Sequence, residues 1–219
     1  MSPQMIGFLV SATWETIEMV VISCAIAVVF GLPLGVILLV TRKHHVLEGV
    51  TINRVIGMIV NAIRSIPFII LLVAITPFTQ LVVGTSIGTV AAIVPLAVAA
   101  IPFFARIVES AMKEVPAGLL EASQAMGASP MQIIRYVLIP EAMPSMIRGI
   151  TLTLITLVGY SAMAGAIGGG GLGDLAIRYG YQRFEISVMV ATVLILIVMV
   201  QGLQLIGDGL ANRLSHHEN

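Results

Sequence analysis

The chain has 219 residues, 58% hydrophobic and only 10% charged, with a mean hydropathy of +1.05. A soluble domain carries about 25% charged residues, so too few are present to clothe this surface in water, and lipid is its natural solvent. Eleven basic side chains balance eleven acidic ones, and no basic block exists to track a phosphate backbone, which excludes a nucleic-acid partner.

No Lys or Arg occurs before Arg42, so the N-terminus lacks the charged start of a cleaved signal, and the first apolar span is expected to stay as an anchor. Stretches free of Asp, Glu, Lys and Arg locate the spans, each needing roughly 20 apolar residues. Helix 1 is expected over Met19–Thr41. It contains Cys24, the single cysteine, which reads as a small hydrophobe without a disulfide partner in the chain. The run from Ser65 to Ala105 is too long for one crossing and breaks at Thr76–Gln80 and Gly84–Ser86, giving helices 2 and 3, with helix 2 starting near Val55. Helix 4 is expected within Gly149–Gly173 and helix 5 over Ile186–Gly207. The reading is an all-α polytopic membrane protein with five transmembrane helices in one domain, 1–219.

Arg42, Lys43, Arg54 and Arg64 flank the first loop, and Arg106, Lys113, Arg135 and Arg148 flank the long middle loop. The bias of basic residues toward the cytoplasm places the N-terminus outside and the C-terminus inside. Pro33, Pro67, Pro95 and Pro102 fall within the spans. They fit either static curvature or hinges of a moving pore. Arg64 either snorkels to the interface or holds the cytoplasmic mouth.

The middle loop, about 109–145, is the most informative segment. Pro116 suits the first turn of a short helix, and Gly127 suits the left-handed position that closes it. Ser129 then caps a second helix with Pro130 at its first position, Gln132 completes a capping box, and Pro140 ends it. Ala122 and Ala125 leave a low-relief face suited to docking. From geometry alone, such a pair lies either on lipid headgroups or against a partner.

Glu121-Ala122-Ser123, three residues, Gly127, nine residues, then Val137-Leu138-Ile139-Pro140 resembles the EAA loop of ABC importer permeases. In that family the pattern is Glu-Ala-Ala, three residues, Gly, nine residues, Ile-x-Leu-Pro. The departures at Ser123, Val137 and Ile139 are mild. Asn61–Leu72, Gly84–Gly88 and the glycine-rich Gly159–Gly173 are similar to the methionine-importer permeases, although quaternary-amine permeases carry comparable glycine-rich segments. The resemblance implies the type I importer fold, a homodimeric pore working by alternating access, and a loop that docks on a separate ATPase. Carried over by position, Glu121, Ala122, Ser123, Gly127, Ala128, Ser129 and Pro130 make that contact. The implied partners are a second copy of this chain, two copies of an ABC ATPase that bind ATP and Mg, and an extracytoplasmic substrate-binding protein or lipoprotein. Methionine, L- or D-, is the implied cargo. Another amino acid or a quaternary amine stays open, as does an ATP-independent carrier.

The chain carries no P-loop, since Lys43 precedes His44 and Lys113 precedes Glu114, neither followed by Ser or Thr. No catalytic constellation or cofactor is expected on it. His44-His45 and His216-His217 read as solvated loop and tail residues rather than metal ligands. No paired carboxylates lie deep in a span, which weighs against a proton-coupled carrier. Helix 4 is expected to line the path: Tyr160, Ser161, Met163 and Gly165 are pore or gate candidates, with Met163 as a pliable plug among small residues, and ordinary helix packing as the competing reading.

Overall fold

The computed structural model describes residues 3–43 and 45–215 (backbone alone at 215), so His44, His216 and His217 lie outside the described residues. Every regular element among them is helical.

Helix α1 spans Pro3–Val40. At 1.5 Å per residue it is about 57 Å long, against about 30 Å for a hydrocarbon core. It therefore begins 16 residues before the expected Met19. Glu15 and Glu18 interrupt the charge-free run but not the helix. The next expected span is not a straight rod. Helix α2 (Val50–Ser65) and α3 (Phe68–Ala74) meet at a 102° bend. The cause is Pro67, which drives the preceding residue, Ile66, to an extended ψ of 124°. The segment expected as a break, Thr76–Gln80, instead opens a short helix, α4 (Thr76–Val83), which holds Pro77 in its first turn, where the absent N–H is not needed. It ends on left-handed Gly84.

Helix α5 (Thr89–Lys113) is the centre of the molecule, burying Leu96, Phe104 and Val108 completely. Helix α1 packs along it through Gly31 and Gly35. A methyl at Gly31 would lie 2.9 Å from the Ile101 carbonyl oxygen, and one at Gly35 would lie 2.6 Å from the Val108 Cβ. Small residues four apart let the two backbones approach, as membrane helices require.

Beyond α5 come α6 (Ala117–Ala125) and α7 (Pro130–Ile133), followed by a π turn over Ile134–Leu138 and then α8 (Ile139–Ala166). Pro140 does not end the second loop helix. The π turn leaves the proline in the first turn of α8, where its lack of an N–H is tolerated. The helical path therefore runs from Pro130 to Ala166, and the expected helix 4 starts inside it. A glycine turn leads to α9 (Gly171–Leu175), a second π turn over Ala176–Tyr181, and α10 (Ile186–Ser215).

Four described helices are long and apolar enough to cross a membrane, and the bent α2–α3 pair makes five when counted as one span. Helix α8 packs on α1, α5 and α10, closing one core around Met19, Phe104, Leu138, Met146 and Leu157.

Candidate coupling surface and translocation face

Helix α6 starts after Pro116 and closes in a Schellman corner. The Ala128 N–H donates to the Ser123 carbonyl (3.1 Å) and the Gly127 N–H donates to the Gln124 carbonyl (2.9 Å). Gly127 has φ +78° and open space where a Cβ would stand, so backbone conformation alone demands glycine there. The capping box is present: the Gln132 N–H donates to the Ser129 Oγ at 3.4 Å and the Ser129 N–H donates to the Gln132 Oε1 at 2.8 Å. Pro130 occupies the first turn of α7.

Glu121, Ala122, Gly127, Ser129 and Pro130 are exposed at this corner, and Ala128 is half-buried. Ser123 is buried, its hydroxyl donating to the Leu119 carbonyl at 2.6 Å. Within the Glu-Ala-Ser triplet, then, Glu121 and Ala122 face outward while Ser123 is turned back into the helix.

Immediately above the corner is a charge cluster that the reading of the loop did not single out. Glu109 is only 3% exposed, and it is held by Lys113 at 2.7 Å, Arg106 at 2.5 Å and Arg42 of α1 at 4.0 Å. Arg106 also donates to the Gly57 carbonyl (3.2 Å) and the Asn61 Oδ1 (3.0 Å) of α2. Glu109 thereby ties the C-terminal turns of α5 to Arg42, just past α1, and Arg106 carries the tie on to the body of α2. The sequence signal was the i, i+3, i+7 spacing of Arg106, Glu109 and Lys113 in a charge-poor chain. Arg64 is exposed in the last turn of α2.

The pore candidates separate onto two faces of α8. Ser161 is 2% exposed, donating to the Val158 carbonyl. Gly165 is buried where the α9 backbone crosses α8; a methyl there would lie 2.8 Å from the Gly170 carbonyl oxygen. Tyr160 is half-buried and stacks on Phe68 of α3, rings 4.4 Å apart and parallel to 1°. Met163 is 47% exposed and shares a stripe with Leu152 and Gly159, whose spacing keeps the three on one side of the helix, and Ile167, the residue that caps α8, is exposed just beyond them. At the other end of the molecule the glycine turn is pinned from α1. The Gly171 N–H donates to the Glu15 carboxylate at 2.7 Å and the Leu172 N–H to the Thr16 hydroxyl at 2.9 Å. These contacts bridge 156 residues of sequence, and the sequence offered no signal for them. Among the described residues no cluster of His, Cys, Asp and Glu is arranged to hold a metal ion.

Comparison with known proteins places this geometry. Residues 27–217 match the family described as binding-protein-dependent transport system inner membrane component. The probable D-methionine transport system permease protein MetI of Vibrio cholerae is 58% identical over 208 residues, covering 95% of this chain and 92% of that protein. The D-methionine transport system permease protein MetI of Escherichia coli K12 is 56% identical over 165 residues, 75% of this chain and 76% of its own. A chain of the MetNI methionine ABC transporter in an inward-facing conformation superimposes with a TM-score of 0.96 at 51% identity, covering 98% of this chain and 99% of that one. An amino acid ABC transporter solved with histidines shares the fold at 20% identity, with a TM-score of 0.79 over 95% of this chain and 94% of that one. With a family model matched over most of its length and relatives above half identity, the chain belongs to the binding-protein-dependent transport system inner membrane components, as a multi-pass permease.

Proposed function

We propose that this chain is the methionine-translocating permease subunit of an ATP-driven importer in the bacterial inner membrane. The observation that carries the reading is the fold shared at 51% identity over 98% of the chain with a subunit of a methionine ABC transporter. The exposed corner at Glu121, Ala122 and Gly127 supports a docking role for residues 109–145, with Ser129 and Pro130 fixing the second half of the corner and Ser123 and Ala128 bracing it from behind. ATP and Mg are then handled by a separate ATPase, two copies of which face two copies of this permease. A binding protein delivers cargo to the outer mouth.

The corner can act mechanically because it is locally rigid. Schellman bonds, the capping box and the buried Ser123 hold its shape independently of a partner, so a push on it is transmitted rather than absorbed. The direct route inward is α8, which carries Met163 on its exposed side. With two copies face to face, the Leu152–Gly159–Met163 stripes and Ile167 line the passage, and Met163 supplies the pliable constriction. Tyr160, Ser161 and Gly165 set the shape of that helix from its packed side. The lining carries no charge, so selection rests on the binding protein. The basic residues on the 41–49 connection and the middle loop support a cytoplasmic position for the coupling corner and for the C-terminus.

The test is uptake of labelled methionine into proteoliposomes holding this chain with its ATPase and binding protein. ATP-dependent accumulation, competed by unlabelled methionine, is expected. Binding-protein-stimulated ATP hydrolysis with no methionine uptake would replace the cargo and keep the machine, and failure to assemble with any ATPase would remove both.

A further inference from the structure

Between the end of α1 and the coupling helix lies a half-open cleft of about 460 Å³, far larger than the roughly 30 Å³ share of one water molecule. Arg42, Lys43 and His45 form one wall, Lys113 of α5 continues it, and Glu121 and Gln124 of α6 face them. The floor is apolar. Three cations thus confront one lining carboxylate. Glu109 behind them engages Lys113 and Arg42, which fixes where those cations point, and Lys43 forms no ion pair among the described residues.

The wall is built rather than loose. The connection folds back on α1, with the Leu47 N–H donating to the Val40 carbonyl and the Gly49 N–H to the Thr41 carbonyl, both at 3.0 Å. Asn53 clamps it from α2, donating to the Leu38 carbonyl (2.5 Å) and the Thr41 Oγ (3.1 Å). Within this ordered wall the His45 Nδ1 is closed off from solvent and has no hydrogen-bond partner among the described residues. The cleft sits where the apolar run of α1 stops at Val40 and α5 stops at Lys113, the depth at which two helices long and apolar enough to cross a membrane come to an end.

We propose that this cleft binds a phosphate-bearing anion, whose oxygens accept from Arg42, Lys43 and Lys113. At this depth such an anion comes from an anionic phospholipid headgroup or from free phosphate. The inference uses this chain's own residues and does not depend on the cargo.

Native mass spectrometry of the assembled transporter, dosed in detergent with phosphatidylglycerol or phosphatidylcholine, reads the lipid arm, and phosphorus NMR line broadening of inorganic phosphate reads the free-anion arm. Phosphatidylglycerol is expected to be retained roughly tenfold better than phosphatidylcholine, with the preference lost in Lys43→Gln and restored in Lys43→Arg. Lys43 is exposed, so its substitution leaves the fold and the Glu109 cluster in place. Lys43-dependent broadening of phosphate without a lipid preference assigns the same site to the free anion. Equal retention of both lipids together with no Lys43-dependent phosphate binding overturns the proposal. So does a Lys43→Gln variant that loses its ATPase subunit while binding both anions normally, since the cleft would then take a partner's carboxylate.

Discussion

Glu109 is buried to 3% exposure and surrounded by three cations, so its charge is the cheapest way to keep Arg106, Lys113 and Arg42 together. Glu109→Gln leaves them facing a neutral amide; because all three cations are partly exposed, a loss of about 3 kcal/mol is expected, the low end for a broken buried pair. A lowered Tm of the detergent-solubilised protein is the readout, and an unchanged Tm would dissolve the cluster's structural role. Gly127 makes a different demand. At φ +78° with space around it, Gly127→Asn is expected to keep uptake, because asparagine tolerates the left-handed region. Gly127→Pro fixes φ near −65° and removes the N–H that bonds Gln124. It should reach the membrane yet leave ATP hydrolysis by the partner ATPase uncoupled from transport; normal uptake by that variant would end the coupling role of the corner. His45 gives a pH dependence. Burial first, and the Arg42 charge second, hold it below its ordinary 6.5. The unfolded connection therefore takes up the proton first, so nothing is lost above pH 6.5 and local stability falls as pH drops below it. With the intrinsic pH dependence of exchange divided out, the protection of amides across residues 45–49 should fall between pH 7 and 5.5, and His45→Asn should flatten that response.

At the level of elements, the sequence was most legible where structure is made by near neighbours. The Ser129–Gln132 box and the Gly127 corner are each contained within a few residues, and both are present as read. Pro140 misled because a proline stops a helix only when its missing N–H has a turn to disrupt, and the π turn at Ile134–Leu138 supplies a fresh start. The start of α1 was hidden for a related reason. Glu15 looks like a charge at the edge of a span, but it is the acceptor for the Gly171 N–H, a contact across 156 residues that no local pattern announces. Glu15→Ala removes a charge-assisted bond worth about 2 kcal/mol and should speed amide exchange at Gly171 and Leu172 selectively. Uniform exchange across α9 in both proteins would mean that packing alone holds that turn. Arg106, Glu109 and Lys113 were visible as one face of one helix, whereas the arrival of Arg42 and Asn61 at the same point is a fact of the fold.

For the molecule as a whole, exposed apolar surface is what remains to be accounted for. Leu152 and Met163 lie open on α8 with Ile167 at its end, and α10 is the least buried of the four long helices. Lipid covers part of this surface, and a second copy across α8 covers the rest in the proposed assembly. Cys24 is the single cysteine and is buried, so Met163→Cys in a Cys24→Ala background offers one reactive thiol per chain. A short bifunctional thiol reagent is expected to yield a covalent dimer in membranes, with a yield that changes when ATP and the ATPase are present. Only monomer under every condition would take Met163 away from the two-fold axis.

The helical path from Pro130 to Ala166 adds a mechanical consequence. Its first residue adjoins Ser129 at the corner and its last turns carry Met163, so the two lie at most about 50 Å apart along one continuous helical path. Pivoted near its packed middle, such a rod acts as a crowbar. A tilt of about 5° displaces one end by roughly 4 Å relative to the other, more than the width of a methyl group. In the proposed assembly, no chain of rearranging side chains is then required between the docking corner and Met163.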